Sequence, residues 1–174
     1  MSRRRAAPGQ CPAVTGPPHR RRTAAAPHRR DGIKLEVIAK PTEGSSSTEP
    51  SAPRRAEILH GLGNVIENAV QFCHERVEIT VSWNEQFVTM EVLDDGPGVT
   101  PSVLVRLGEP YVSSRRKSGR MGLGVFISKT LLERTGASVS FFNGHKYGAR
   151  IVISWPRDVL EALDADQPDA KVNV

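Results

Sequence analysis

Two alternating apolar runs, VEITVSW (77–83) and FVTMEVL (87–93), stand three residues apart in this chain. Alternation at period two puts the apolar side chains of each run on one face of a strand, and the short Asn-Glu-Gln link makes the pair a hairpin. A hairpin with one apolar face needs another layer to cover it. The second run ends on EVLDDGPGV (91–99), two carboxylates followed by two glycines around a proline. Asp-Gly and Gly-Pro-Gly form turns, because glycine tolerates positive φ and aspartate bonds its own backbone. The same residues suit a second role. There Asp94 is buried at the strand end as a hydrogen-bond acceptor, and Gly96 and Gly98 let a flat ligand approach the backbone. The stretch alone leaves both readings open.

The covering layer is predicted upstream. RRAEILHGLGNVIENAVQFCHER (54–76) has helical periodicity, with Ile58, Leu62, Val65, Ile66, Ala69, Phe72 and Cys73 in one arc. Asn64 and Asn68, four residues apart, lie at the edge of that arc. Asparagine is a mediocre helix former, so propensity does not account for two of them in mid-helix. They are either two solvated polar residues or a source of oxygen ligands, which a hard cation such as Mg²⁺ takes together with water and nucleotide phosphates. A third feature is Gly122-Leu123-Gly124, just ahead of an apolar helix over 122–136. Glycines there leave the first N–H groups of the helix free to meet an anion.

The remaining elements complete an α+β pattern. IKLEVIA (33–39) reads as a strand, 101–121 as a short helix running into a polar loop, and SVSFFN (138–143) with GARIVISW (148–155) as a closing strand pair. Gly136 is expected to end its helix at the C′ position. A short helix is expected over 157–164, within a partly helical or frayed tail over 158–174. The order β-α-β-β-α-α-β-β, without regular βαβ alternation, predicts one sheet with helices on one face.

Charge separates the ends from the body. The chain of 174 residues carries a net +5, but residues 1–31 hold eight arginines and one acid. That segment contributes +7 and leaves −2 for the rest. With almost no large apolar residue it cannot offset its ordering entropy, and it reads as a disordered Arg/Pro/Ala-rich tail. No aromatic residue is interleaved for base stacking, so nucleic acid is not the expected partner. Two cysteines, Cys11 and Cys73, make neither a disulfide framework nor a metal cluster and fit a reduced, cytoplasmic setting. No run approaches the length of a membrane span.

Taken in order, NVIENAVQF, DDGPG, LGEPY and GLGVFI resemble the N, G1, F and G2 boxes of the GHKL (Bergerat) ATP-binding fold, in its sensor histidine kinase variant. HGLGNVIENAVQF, LGEPYVSSR, FISKTLLERTGA and ISWPR further resemble the redox-responsive RegB/PrrB-like subgroup. The resemblance covers roughly residues 32–157. It implies a two-layer α/β sandwich with a mixed, mostly antiparallel sheet, ATP and Mg²⁺ as ligands, and a response regulator as indirect partner. Family members are usually membrane-anchored, with this domain on the cytoplasmic side. By the resemblance, Asp94 accepts a hydrogen bond from the adenine amine while Gly96 and Gly98 let the backbone close around the base. Asn68 ligates Mg²⁺ with Asn64 beside it, both serving the catalytic step. Gly122, Leu123 and Gly124 hold the phosphates. Residues 99–121 form the lid, docked by Tyr111, with Arg115, Arg116 or Lys117 available to the phosphates.

Departures from the family pattern qualify this expectation. ATP-hydrolysing relatives carry a glutamate where Asn64 stands, and asparagine has no basicity, so slow hydrolysis is implied. Glu67 lies on a different azimuth and is not assigned as a replacement base. Gln71 occupies a position where many kinases have lysine, and Gly119-Arg120-Met121-Gly122 replaces the usual G2 opening. A sensor kinase phosphorylates a histidine on a preceding two-helix dimerisation domain. Of the five histidines, His19 and His28 fall in the tail, His60 and His74 in the 54–76 helix, and His145 in a loop. The chain thus reads as a protein-histidine kinase catalytic part that lacks its phosphoacceptor, whether as a fragment, a truncated product or a subunit acting in trans. A non-catalytic nucleotide-binding module, or an anti-sigma-like kinase on the same fold, is the alternative.

Overall fold

The computed structural model describes residues 32–110, 123–144 and 148–165. The expected tail over 1–31, and the end of the chain after 165, lie outside the described residues. The order is β1 (Lys34–Pro41), α1 (Ala56–Phe72), β2 (Arg76–Trp83), β3 (Phe87–Asp94), α2 (Pro101–Leu104), α3 (Leu123–Glu133), β4 (Ser138–Asn143), β5 (Ala149–Pro156) and α4 (Arg157–Ala165). It is the α+β order predicted above, closed by α4.

The strands form one mixed sheet in the order β1-β2-β3-β5-β4. β1 runs parallel to β2, and all other pairs are antiparallel. A parallel pair needs a crossover, and α1 supplies it. The β2–β3 hairpin is closed by Asn84, whose Oδ1 accepts the backbone N–H groups of Gln86 and Phe87, both at 2.8 Å. This is the local turn chemistry that favours asparagine there.

Register places Val77, Ile79 and Trp83 of β2 opposite Asp94, Val92 and Val88 of β3 on one face. Met90, Val92 and Val88 in turn face Ile153, Ile151 and Trp155 of β5. The apolar members of this face are buried together with Ile58, Val65 and Ala69 of α1, Leu132 of α3 and Leu160 of α4. The opposite face is polar at its centre, where Arg150 pairs with Glu91 at 2.6 Å and Thr89 meets Ser154 at 3.1 Å. Among the described residues, α1, α3 and α4 all pack on the apolar face.

α1 and α3 pack directly on each other. Gly61 permits the close approach, since a Cβ at that position would lie 2.7 Å from Cγ of the fully buried Leu132. α3 ends as expected at Gly136, with φ +84°. The Gly136 N–H donates to the Glu133 carbonyl at 3.0 Å and the Ala137 N–H to that of Leu132 at 3.3 Å, closing a Schellman turn.

α1 is shorter than its apolar pattern suggested, Ala56–Phe72 rather than 54–76. The cause lies outside the helix. Asp95 Oδ1 accepts the N–H groups of His74 at 2.8 Å and Glu75 at 3.1 Å, which fixes the chain in a turn before β2. His74 is thus an exposed turn residue and not part of the helix to which its sequence assigned it.

Candidate functional site

β3 delivers Asp94 to the helix-facing side of the sheet, at its last position. The side chain is 5 % exposed, far less than is usual for aspartate. The Gly96 N–H donates to Oδ1 at 2.9 Å and the Ala149 N–H donates to the same oxygen at 3.1 Å. Among the described residues Oδ2 accepts no hydrogen bond, so one oxygen anchors the carboxyl and the other stays available. Burial pushes the Asp94 pKa above its ordinary value, against the opposing effect of the two N–H donors.

Glycines close the backbone around this carboxylate. A Cβ on Gly96 would collide with the Phe72 carbonyl oxygen at the end of α1, and one on Gly148 (φ +85°) would overlap the Asp94 carbonyl. Gly98 (φ +71°) would bring a Cβ within 2.9 Å of Asn143 Oδ1. The Asp-Gly step is closed by the Asp94 side chain on the Gly96 N–H, as its composition suggests, and the Gly-Pro-Gly segment also seats a buried acid. Asp95 does not share the site. Its backbone and side chain serve the α1–β2 junction instead, and the double acid of the sequence is divided between two tasks.

Asn64 and Asn68 are both half-buried on α1. Asn68 Nδ2 would lie 3.7 Å from a Cβ on Gly124, so its carboxamide stands beside the first turn of α3. Among the described residues neither asparagine side chain is engaged by a hydrogen bond or ion pair. Leu123 opens α3 and is half-buried, and Gly124 is exposed. Ser128 donates to the Gly124 carbonyl at 2.7 Å, tying that first turn down from within the helix. Glu67 faces solvent. Gly122, Tyr111, Arg115, Arg116, Lys117 and His145 lie outside the described residues.

The fold thus brings the end of β3, the middle of α1 and the start of α3 to one end of the sheet. Sequence reasoning missed Gly148 and Ala149, which complete the wall around Asp94, and Asn143, which meets Gly98 and Val99. The lone glycine immediately before an apolar strand was the available signal, since glycine at a strand boundary often marks close backbone approach.

The architecture is that of an α+β nucleotide-binding ATPase domain of the GHKL type. The sequence pattern of the histidine kinase-, DNA gyrase B-, and HSP90-like ATPases matches residues 54–159, and the chain belongs to that family. Similar proteins within the family include sensor kinases. The sensor histidine kinase RegB of Cereibacter sphaeroides is 38% identical over 159 residues, covering 80% of this chain and 34% of RegB. The sensor protein RstB of Escherichia coli strain K12 is 34% identical over 99 residues, covering 55% of this chain and 23% of RstB. The chain thus spans about a third of the length of RegB.

Solved structures agree in fold. Full-length ShkA in complex with AMPPNP superposes with a TM-score of 0.58 at 27% identity, covering 72% of this chain and 26% of ShkA. The catalytic domain of histidine kinase ThkA gives 0.57 at 19% identity, covering 72% of this chain and 80% of that domain. Among the described residues no helix is long and apolar enough to cross a membrane.

Proposed function

We propose that this domain binds Mg-ATP and passes the γ-phosphoryl group to a histidine carried by the dimerisation domain of a two-component sensor kinase, with a response regulator acting downstream. The observation that carries this reading is the buried Asp94 carboxylate, anchored through Oδ1 alone, with glycine backbone on both sides. Such a group suits the exocyclic amine of adenine, with Gly96 and Gly98 leaving room for the flat base. Resemblance to RegB and to a structure solved with AMPPNP lends support.

The residues present fit a divalent cation at Asn68. Its carboxamide offers a neutral oxygen donor beside the first turn of α3, and Mg²⁺ takes one or two protein oxygens, with water and substrate phosphate filling the remaining positions. When bound, the ion neutralises charge on the phosphates. Asn64 lies one turn away on the same helix and faces the same region. It cannot act as a base toward water, so ATP is held for a positioned nucleophile and not hydrolysed quickly. Leu123 and Gly124, with Gly122 and Tyr111, would complete the phosphate and lid contacts.

The test is transfer in trans. With γ-labelled ATP and a separately supplied RegB-type dimerisation domain, acid-labile phosphate should appear on that domain's histidine. Asn68→Ala should abolish the labelling. An unlabelled mixture in which ATP binding has been demonstrated would overturn the transfer reading and leave a binding module.

A further inference from the structure

Asn143, the last residue of β4, makes a two-way contact with a single residue 44 positions earlier in the chain. Its Oδ1 accepts the Val99 N–H at 2.8 Å and its Nδ2 donates to the Val99 carbonyl, also at 2.8 Å. A carboxamide can do both at once. A carboxylate would supply only the acceptor, and a methyl group neither.

The placement of this clamp gives it consequence. Val99 directly follows Gly98, which has φ +71° and packs against Asn143 and the Gly148 carbonyl. On the other side the same β4–β5 hairpin, closed by Gly144 N–H to the Gly148 carbonyl at 2.9 Å, sends the Ala149 N–H to Asp94. The hairpin therefore grips the 94–99 segment at both ends. Past Val99 the chain enters α2 and then the turn at Gly108, which rests against Lys129 of α3 and Phe141 of β4.

We propose that Asn143 is a positioning residue for the nucleotide base: it sets the width and direction of the 94–99 loop, and with them the preference for adenine. The inference rests on the ATP-binding reading above. Asn143 is exposed and contributes nothing to the apolar core, so its removal should act on the loop and spare the fold.

The experiment compares wild type, Asn143→Ala and Asn143→Asp in titrations with fluorescent analogues of ATP and GTP, alongside urea unfolding. Wild type should prefer ATP. Asn143→Ala should lose about tenfold in ATP affinity, with a smaller loss for GTP, and should still unfold cooperatively in urea with a midpoint only slightly lowered. Asn143→Asp should not restore the preference, because the donor to the Val99 carbonyl is absent. Equal ATP affinity and equal base preference in wild type and Asn143→Ala would overturn the inference while leaving ATP binding intact. A wild type that binds neither analogue would overturn both. Amide hydrogen exchange on the wild-type protein needs no variant. The Val99 amide should be protected, and exchange at the rate of an open loop would overturn the clamp.

Discussion

The backbone N–H of Ala149 meets the carboxylate of Asp94 at 3.1 Å, across 55 residues of chain. It shares Oδ1 with the Gly96 N–H, so Asp94→Asn must either turn an amide NH₂ toward those two donors or present it to the ligand. On the proposed reading, either arrangement removes the charge-assisted hydrogen bond that Asp94 would accept from adenine. The expected loss in ATP affinity is about 1.5–3 kcal/mol, or roughly 10- to 100-fold. Titration with a fluorescent ATP analogue measures it, and equal affinities would mean that Asp94 serves the turn alone.

The two neighbouring acids should respond to pH in opposite senses. Burial raises the Asp94 pKa above 3.8, so its contribution to stability is fully present below that value and is lost as pH rises through the folded-state pKa. For Asp95 the slight burial acts upward, but the N–H groups of Arg76, Glu75 and His74 outweigh it and hold the pKa below 3.8. Its contribution is present above 3.8 and lost as pH falls through the depressed value. ATP affinity should decline on acidification at pH values where an ordinary aspartate is still ionised, and this decline should vanish in Asp94→Asn. Binding isotherms across the acid range, for wild type and variant, give the answer.

Thr135 should matter more than its size suggests. Its Oγ1 accepts the Trp155 indole N–H at 2.9 Å and donates to the Leu132 carbonyl at 2.6 Å, all within the buried interior. Thr135→Val keeps the shape and leaves the indole N–H without an acceptor, at a cost of about 1–3 kcal/mol. Urea unfolding followed by tryptophan fluorescence reports both the stability and the altered surroundings of Trp155. An unchanged midpoint would show that the indole finds another partner.

Gly61→Val tests the crossing of α1 and α3. The added side chain meets Leu132, which is fully buried and has nowhere to go. Overpacking of this kind costs about 1–3 kcal/mol, with the helices pushed apart. Because Asn68 and Gly124 face each other across the same pair of helices, ATP affinity should fall along with the unfolding midpoint. A loss of stability with binding untouched would show that the helix pair tolerates spreading at this end without moving the other.

What the sequence disclosed depended on how local each cause was. The β2–β3 hairpin was legible because alternation and the Asn84 turn lie within a few residues of one another. Asp94 stood out through its position after an apolar strand and before paired glycines, and Gly136 through its place after a helical run. The length of α1 was not legible. Its apolar pattern continues through Cys73, and the residue that arranges the turn, Asp95, is some twenty positions away. The same holds for Asn143 on Val99, Ala149 on Asp94 and Gly61 against Leu132. Each is chosen by a partner that only the folded sheet and helices bring near, and no local pattern in the sequence marks it.

Asp94 and Asp95 face opposite duties from adjacent positions, one buried among the glycines beside β5 and the other turned back to the turn behind α1. Adjacent positions at a strand end point to opposite sides, so neither acid can stand in for the other. The pair therefore carries no redundancy. Deleting one residue at the end of β3 would leave a single carboxylate for two posts, and the chain would lose either its hold on the α1–β2 junction or the acid between its glycines. The repeated letter in the sequence is two separate requirements written side by side.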